Sequence, residues 1–151
     1  VASRFSQPGN HRRGFLTYAE ITLQALMTYQ PAEYLITTAH GVTRTRALLV
    51  TIANSAQFGN GARIAQGART DDGLLDLVIV EERSRWRTLW QVPHLFTGTA
   101  DRITGRTVRR IDQATIECEQ PMLFHVDGES TSGGTQLTAR VHPGALQMAV
   151  K

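Results

Sequence analysis

The feature that most constrains this chain is a change of period after Pro31. "EYLITTAH" (Glu33 to His40) and "TRALLVTIAN" (Thr45 to Asn54) are runs rich in β-branched residues that flank His40-Gly41. Such side chains suit a pleated, half-buried surface, and a short turn between two of them predicts an antiparallel pair. "LLDLVIVE", from Leu74 to Glu81, reads as a buried strand by composition. "TVRRIDQATIECE" alternates imperfectly, "PMLFHV" is short and apolar, "TQLTARVH" alternates well, and "ALQMAV" finishes the β pattern. Six or seven strands are expected. Helical spacing is confined to "GFLTYAEITLQALMTY", Gly14 to Tyr29, stopped before Pro31, and to a short stretch from Trp86 that is kinked or ended near Pro93. The fold class is mainly β: an antiparallel β-sandwich with one or two helices.

Length and charge narrow the functional classes. A chain of 151 residues, 41% hydrophobic and 19% charged, suits a single domain with a real core. No run of eighteen apolar residues exists to span a membrane, and no signal peptide is visible. Cys118 is the only cysteine, which excludes an internal disulfide and any cysteine-built metal cluster and favours a reducing, cytoplasmic setting. The net charge of +3 is carried almost wholly by arginine, with Lys151 the one lysine. The basic spots His11-Arg12-Arg13 and Arg109-Arg110 lack aromatic interleaving and a binding motif, so no nucleic acid is expected as a partner. They are also too sparse to form a polybasic membrane patch.

Familiar catalytic signatures are missing. There is no Walker A sequence, no dinucleotide fingerprint, no serine elbow, no HExxH and no CxxC. Two acidic stretches remain. In "ARTDDGLLDL", Asp71 and Asp72 precede Gly73, and Asp76 opens the next strand; one carboxylate with nearby carbonyls suits a hard cation such as Mg²⁺, although a plain turn explains the same spacing. In "FHVDGES", Asp127 and Glu129 flank Gly128; they lie on one side of an extended chain, or converge where it turns, although Asp-Gly is equally a hairpin dipeptide. The loop "SAQFGNGARIAQGARTDDG" ahead of Leu74 is too long to be idle in a compact domain.

In order, "NSAQFGNGARIAQGARTDDGLLDLVIV", "FHVDGE" and "VHPGALQM" resemble the C-terminal domain of diacylglycerol-kinase-type lipid kinases, the family that includes sphingosine kinases and related bacterial lipid kinases. The resemblance runs from Gly14 onward and departs at Asn60, where the family usually has glycine. It implies a two-domain parent, of which residues 1–151 are the C-terminal sandwich and from which the N-terminal ATP-binding domain, with its Gly-Gly-Asp-Gly motif, is absent; alone, this piece is expected to be inactive. It further implies that Glu129, with Asp127 beside it, accepts a proton from a lipid hydroxyl, and that Asp72, through its carboxylate, and Arg69 and Leu74, through their carbonyls, hold Mg²⁺. The implied partners are ATP as co-substrate and a diacylglycerol-like lipid, with peripheral membrane contact allowed. Strands left uncovered by the absent domain are able to pair between copies as a homodimer. The alternative class is a non-catalytic sandwich that binds lipid or protein.

Overall fold

The computed structural model describes residues 31–56, 63–84, 87, 90–91, 93–94, 97–127 and 129–145. The helix expected over Gly14–Tyr29 and the last strand, "ALQMAV", lie essentially outside these residues. Eight strands follow in chain order: β1 (Ala32–Thr38), β2 (Gly41–Ala53), β3 (Leu75–Glu81), β4 (Arg106–Ile111), β5 (Gln113–Cys118), β6 (Leu123–Val126), β7 (Glu129–Ser132) and β8 (Gln136–Arg140). A 3-10 turn, Ala100–Arg102, precedes β4. Between β3 and that turn, the described residues Arg87, Trp90, Gln91, Pro93 and His94 are helical. Every strand pairing is antiparallel.

Six strands form one sheet in the order β4-β3-β2-β1-β5-β8, and β6 and β7 form a separate hairpin. That order carries a geometric demand. β4 and β5 are joined only through Asp112, yet β3, β2 and β1 stand between them in the sheet. A flat sheet would hold them four strand spacings apart, about 19 Å at the usual interstrand distance. The sheet must therefore fold over on itself, which makes a two-layer sandwich. The first layer is β8-β5-β1 with the start of β2; the second is the end of β2 with β3 and β4. A bond from Arg109 Nη1 of β4 to Thr43 Oγ1 of β2, 3.0 Å, spans the two.

Two corners let strands change layers. β2 pairs with β1 through Gly41–Ala47 and with β3 through Ala47–Ala53, and the register slips between Ala47 and Leu49. That slip exchanges the faces. Before it, Thr43 and Ala47 lie on the face shared with Ile36; after it, Val50 and Ile52 pack on the same core. An extra residue in one strand bends it and shifts its alternation, so both halves of β2 point inward. Asp112 performs the same exchange between β4 and β5, where Ile111 and Ala114, three residues apart, are both buried. "TVRRIDQATIECE" is accordingly two strands rather than one, and its broken alternation is the trace of this corner.

The interlayer core consists of Ile36, Ala47, Leu75, Leu77, Ile79, Ile111, Ala114 and Ile116. Full burial of each large aliphatic chain among them contributes about 1.5–3 kcal/mol. The opposite face of β3 is covered too. Val78, completely buried, packs there with Ile64 and Ala65, so the segment ahead of β3 folds back over the strand it leads into.

Candidate active site

The segment that covers β3 is held by arginines from β4. Arg106, Val108 and Arg110 pair with Val80, Val78 and Asp76, and so share their outer face. The Arg106 guanidinium donates to the Ile64 carbonyl through Nε at 3.1 Å and Nη2 at 2.6 Å. Arg110 Nη2 reaches the Gly67 carbonyl at 3.5 Å. Burial pushes the Arg106 guanidinium below its ordinary value, opposed by the charges of Asp101 and Asp76. Sequence reading sees only adjacent arginines at this place. The period-2 placement of Arg106 and Arg110 becomes informative once their register against β3 is known.

This segment ends in the Asp-Asp-Gly turn, where the two aspartates are used differently. Asp71 is exposed and takes a fork from Arg69, Nε to Oδ1 at 3.1 Å and Nη2 to Oδ2 at 3.2 Å. The fork holds the Asp71 carboxyl below the usual carboxylate range. The Arg69 side chain is thereby engaged away from Asp72, which leaves its backbone as the only part suited to a cation. Asp72 turns inward, and its Oδ1 accepts the Leu74 N–H at 3.0 Å. Its Oδ2 is buried with no hydrogen-bond partner. Gly73 follows at φ 70°, and a Cβ there would meet Pro143 at 3.5 Å. The "VHPG" segment after β8 thus lies against the turn.

Asp76 lies on β3, two residues past Leu74, and is the only buried charged residue among those described, at 4% exposure. Desolvation raises its pKa above the ordinary aspartate value and Asp72 adds to the rise, while Arg110 and Arg106 oppose it. An orphaned carboxylate oxygen next to a buried acid is costly unless a cation or donor meets it. The Mg²⁺ assignment therefore fits the residues present: Asp72 Oδ2 is the free oxygen such an ion needs. Gln66 Nε2, in the same segment, is likewise buried without a partner.

The second acidic pair stands on an arm. β5 pairs with β8, and the ladder continues with Cys118 N donating to Thr135 O at 2.9 Å. It resumes beyond a bend, where Met122 N donates to Gly134 O at 3.1 Å and Gly133 N to Met122 O at 2.9 Å. β6 and β7 extend this ladder to the turn that carries Asp127. Met122 packs on the interlayer core and roots the arm. Gly133 lies at the root, where a Cβ would come within 2.7 Å of the Phe124 ring and make that ring shift.

Val126 pairs with Glu129, and Asp127 has φ 49°. Both are marks of a tight hairpin connection. Asp127 and Glu129 accordingly do not lie along one extended strand. Asp127 occupies the turn, while Glu129 opens β7 on the face that carries Val126, Phe124 and Thr131. Both acids are exposed, and no ion pair engages either among the described residues. The other face carries Ser130 Oγ 3.2 Å from His125 Nδ1. The hairpin acids and the Asp72 turn are on separate elements, and no hydrogen bond or ion pair among the described residues joins them.

Comparison with known proteins agrees with this architecture. Residues 1–150 match the family model described as the YegS C-terminal NAD kinase beta sandwich-like domain. A relative from Chromohalobacter salexigens, provisionally named a YegS-like lipid kinase, is 25% identical over 132 residues, covering 87% of this chain and 42% of the relative. Another from Bacillus subtilis, provisionally named lipid kinase YtlR, is 25% identical over 138 residues, 91% of this chain and 44% of the relative. The chain thus spans less than half the length of these curated relatives. A solved structure from Bacillus anthracis, provisionally named a diacylglycerol kinase, superposes with a TM-score of 0.65 at 18% identity, covering 97% of this chain and 51% of that one. At that identity the likeness establishes the fold.

Proposed function

The chain belongs to the YegS C-terminal NAD kinase beta sandwich-like domain family, and from that premise we propose that it is the acceptor-side domain of an ATP-dependent lipid kinase. In this reading the parent protein phosphorylates a hydroxyl of diacylglycerol or a related lipid, and ATP is held mainly by a domain outside residues 1–151. The observation that carries the proposal is the hairpin tip: an arm rooted in the core presents two carboxylates, neither neutralised by a cation among the described residues. A purely structural turn has no need of a second acid.

The lipid hydroxyl oxygen attacks the γ-phosphorus of ATP, the bond to the bridging oxygen breaks, and ADP leaves with that electron pair. The hydroxyl proton passes to the Glu129 carboxylate. Asp127, in the turn, fixes the course of the chain leading to Glu129 and adds negative potential beside it. Position and charge stabilisation dominate phosphoryl transfer, so the base is a secondary contributor. Mg²⁺ on Asp72 Oδ2 and the carbonyls of Arg69 and Leu74 would supply charge that ties the covering segment to the start of β3. Asp72 Oδ1 already holds the Leu74 amide and so sets the turn for it.

The test is turnover of labelled ATP by the full-length protein over a panel of lipid alcohols. Glu129→Gln should lower kcat by about 10²–10⁴-fold with the fold intact. Equal turnover by the variant would remove Glu129 as the proton acceptor, and an inert wild type with every alcohol would favour a non-catalytic lipid-binding sandwich.

A further inference from the structure

Trp90 is 80% exposed, the most exposed of the large hydrophobic side chains described. It belongs to the helical residues that follow β3, where Arg87, Trp90 and Pro93, spaced three apart, are exposed while Gln91 and His94 are half-buried. The surrounding sequence is one-sided in charge. From Arg83 to Ala100 it holds three arginines, two tryptophans and a phenylalanine, and no acidic residue. The acids just before it are already engaged: Glu82 by Arg46 at 2.6 Å and Glu81 by Arg83 at 3.8 Å. A helix face with an outward indole three residues from an exposed arginine does not suit plain solvent. Indoles favour the bilayer–water boundary, and arginines near it are drawn to anionic headgroups.

We propose that the face carrying Arg87 and Trp90 is a membrane-docking surface that seats this domain on an anionic lipid bilayer. This deepens the lipid reading, and rests on it, by naming where the protein meets the surface that contains its substrate. Trp90 enters the headgroup boundary, and Arg87 pairs with lipid phosphate. The acids of the hairpin tip take no part in this contact.

The experiment uses the full-length protein with sedimenting vesicles of phosphatidylcholine, with and without phosphatidylglycerol. Binding should require the anionic lipid and fall steeply with salt. Trp90→Ala should weaken partitioning roughly tenfold, and Arg87→Gln about fivefold. Thermal unfolding of each variant separates a lost contact from a lost fold, and Trp90→Phe should recover part of the binding. Turnover on a water-soluble short-chain diacylglycerol should be unchanged in Trp90→Ala while turnover on vesicles drops. Inert protein in both assays with vesicle binding intact would count against the kinase reading and leave the docking surface standing. Equal binding by wild type and Trp90→Ala overturns the proposal. So does Trp90 shielded from acrylamide quenching before vesicles are added, because another part of the protein or a second copy then covers it.

Discussion

Replacing Arg106 by alanine tests whether the segment ahead of β3 is a fixed part of the fold or a loop that happens to rest on it. Its guanidinium makes two charge-assisted bonds to one carbonyl, that of Ile64, at 3.1 and 2.6 Å. Hydrogen bonds involving a charged group each contribute about 1.5–3 kcal/mol, but two bonds to one oxygen share its lone pairs, and burying the cation is itself costly. That burial depresses the Arg106 guanidinium, so part of the gain is offset. A net loss of about 2 kcal/mol is the reasonable expectation. Arg106 lies at the start of β4, and the interlayer core is on the opposite face of the sheet from Ile64. The loss should therefore appear as local opening of the covering segment and only weakly in global unfolding. In amide hydrogen exchange, residues 63–70 should exchange about 30-fold faster in Arg106→Ala, with β1 and the start of β2 within a factor of about two of wild type. Arg106→Lys, which keeps the charge but offers a single donor nitrogen in place of the fork, should fall between. Unchanged exchange at 63–70 would refute the clamp, and equal acceleration in β1 would show that Arg106 supports the whole sandwich instead.

Mg²⁺ at about 100 times its dissociation constant should stabilise the wild type by about 2.7 kcal/mol, a rise of roughly 5–10 °C in Tm for a chain of this size. Asp72→Ala should abolish that rise in differential scanning calorimetry and lower the metal-free Tm as well, since Oδ1 also holds the Leu74 amide; a full Mg²⁺ response in the variant places the ion elsewhere. Asp76 yields a pH prediction. Its folded pKa is raised, chiefly by desolvation, so the native state takes up this proton before the unfolded chain does. Its contribution to stability therefore grows as pH falls through the folded pKa toward the ordinary aspartate range, and its cost is fully present above that. Urea unfolding in EDTA should show wild type gaining on Asp76→Asn as the solution is acidified, and a constant difference between them would contradict the burial argument.

What is legible in the sequence follows from the range of the forces involved. The β1–β2 hairpin and β3 are local statements: β-branched runs around His40-Gly41, and an apolar run after Asp72-Gly73, say what they become without reference to distant residues. The corners are not local. The slip at Ala47/Leu49 and the break at Asp112 each reverse the alternation of a strand, and in one dimension a reversal looks like a weak pattern rather than a change of layer. β7 is equally hidden, because "ESTS" is polar and exposed throughout, and only its register against Leu123–Val126 makes it a strand. The candidate site divides in the same way. Asp72, Asp127 and Glu129 stand out as candidates because turn chemistry is local, and Asp127 takes φ 49° for the reason that makes Asp-Gly common in hairpins. Arg106 and Arg110 are unreadable as clamps, since both partners are backbone carbonyls some forty residues earlier, and a carbonyl leaves no mark in the sequence. A polar side chain that bonds to main chain is therefore the kind of site residue that residue identity alone misses. In this chain such bonds hold the segment that carries Asp72 against β3, and the proposed Mg²⁺ site would depend on them as much as on the carboxylate itself.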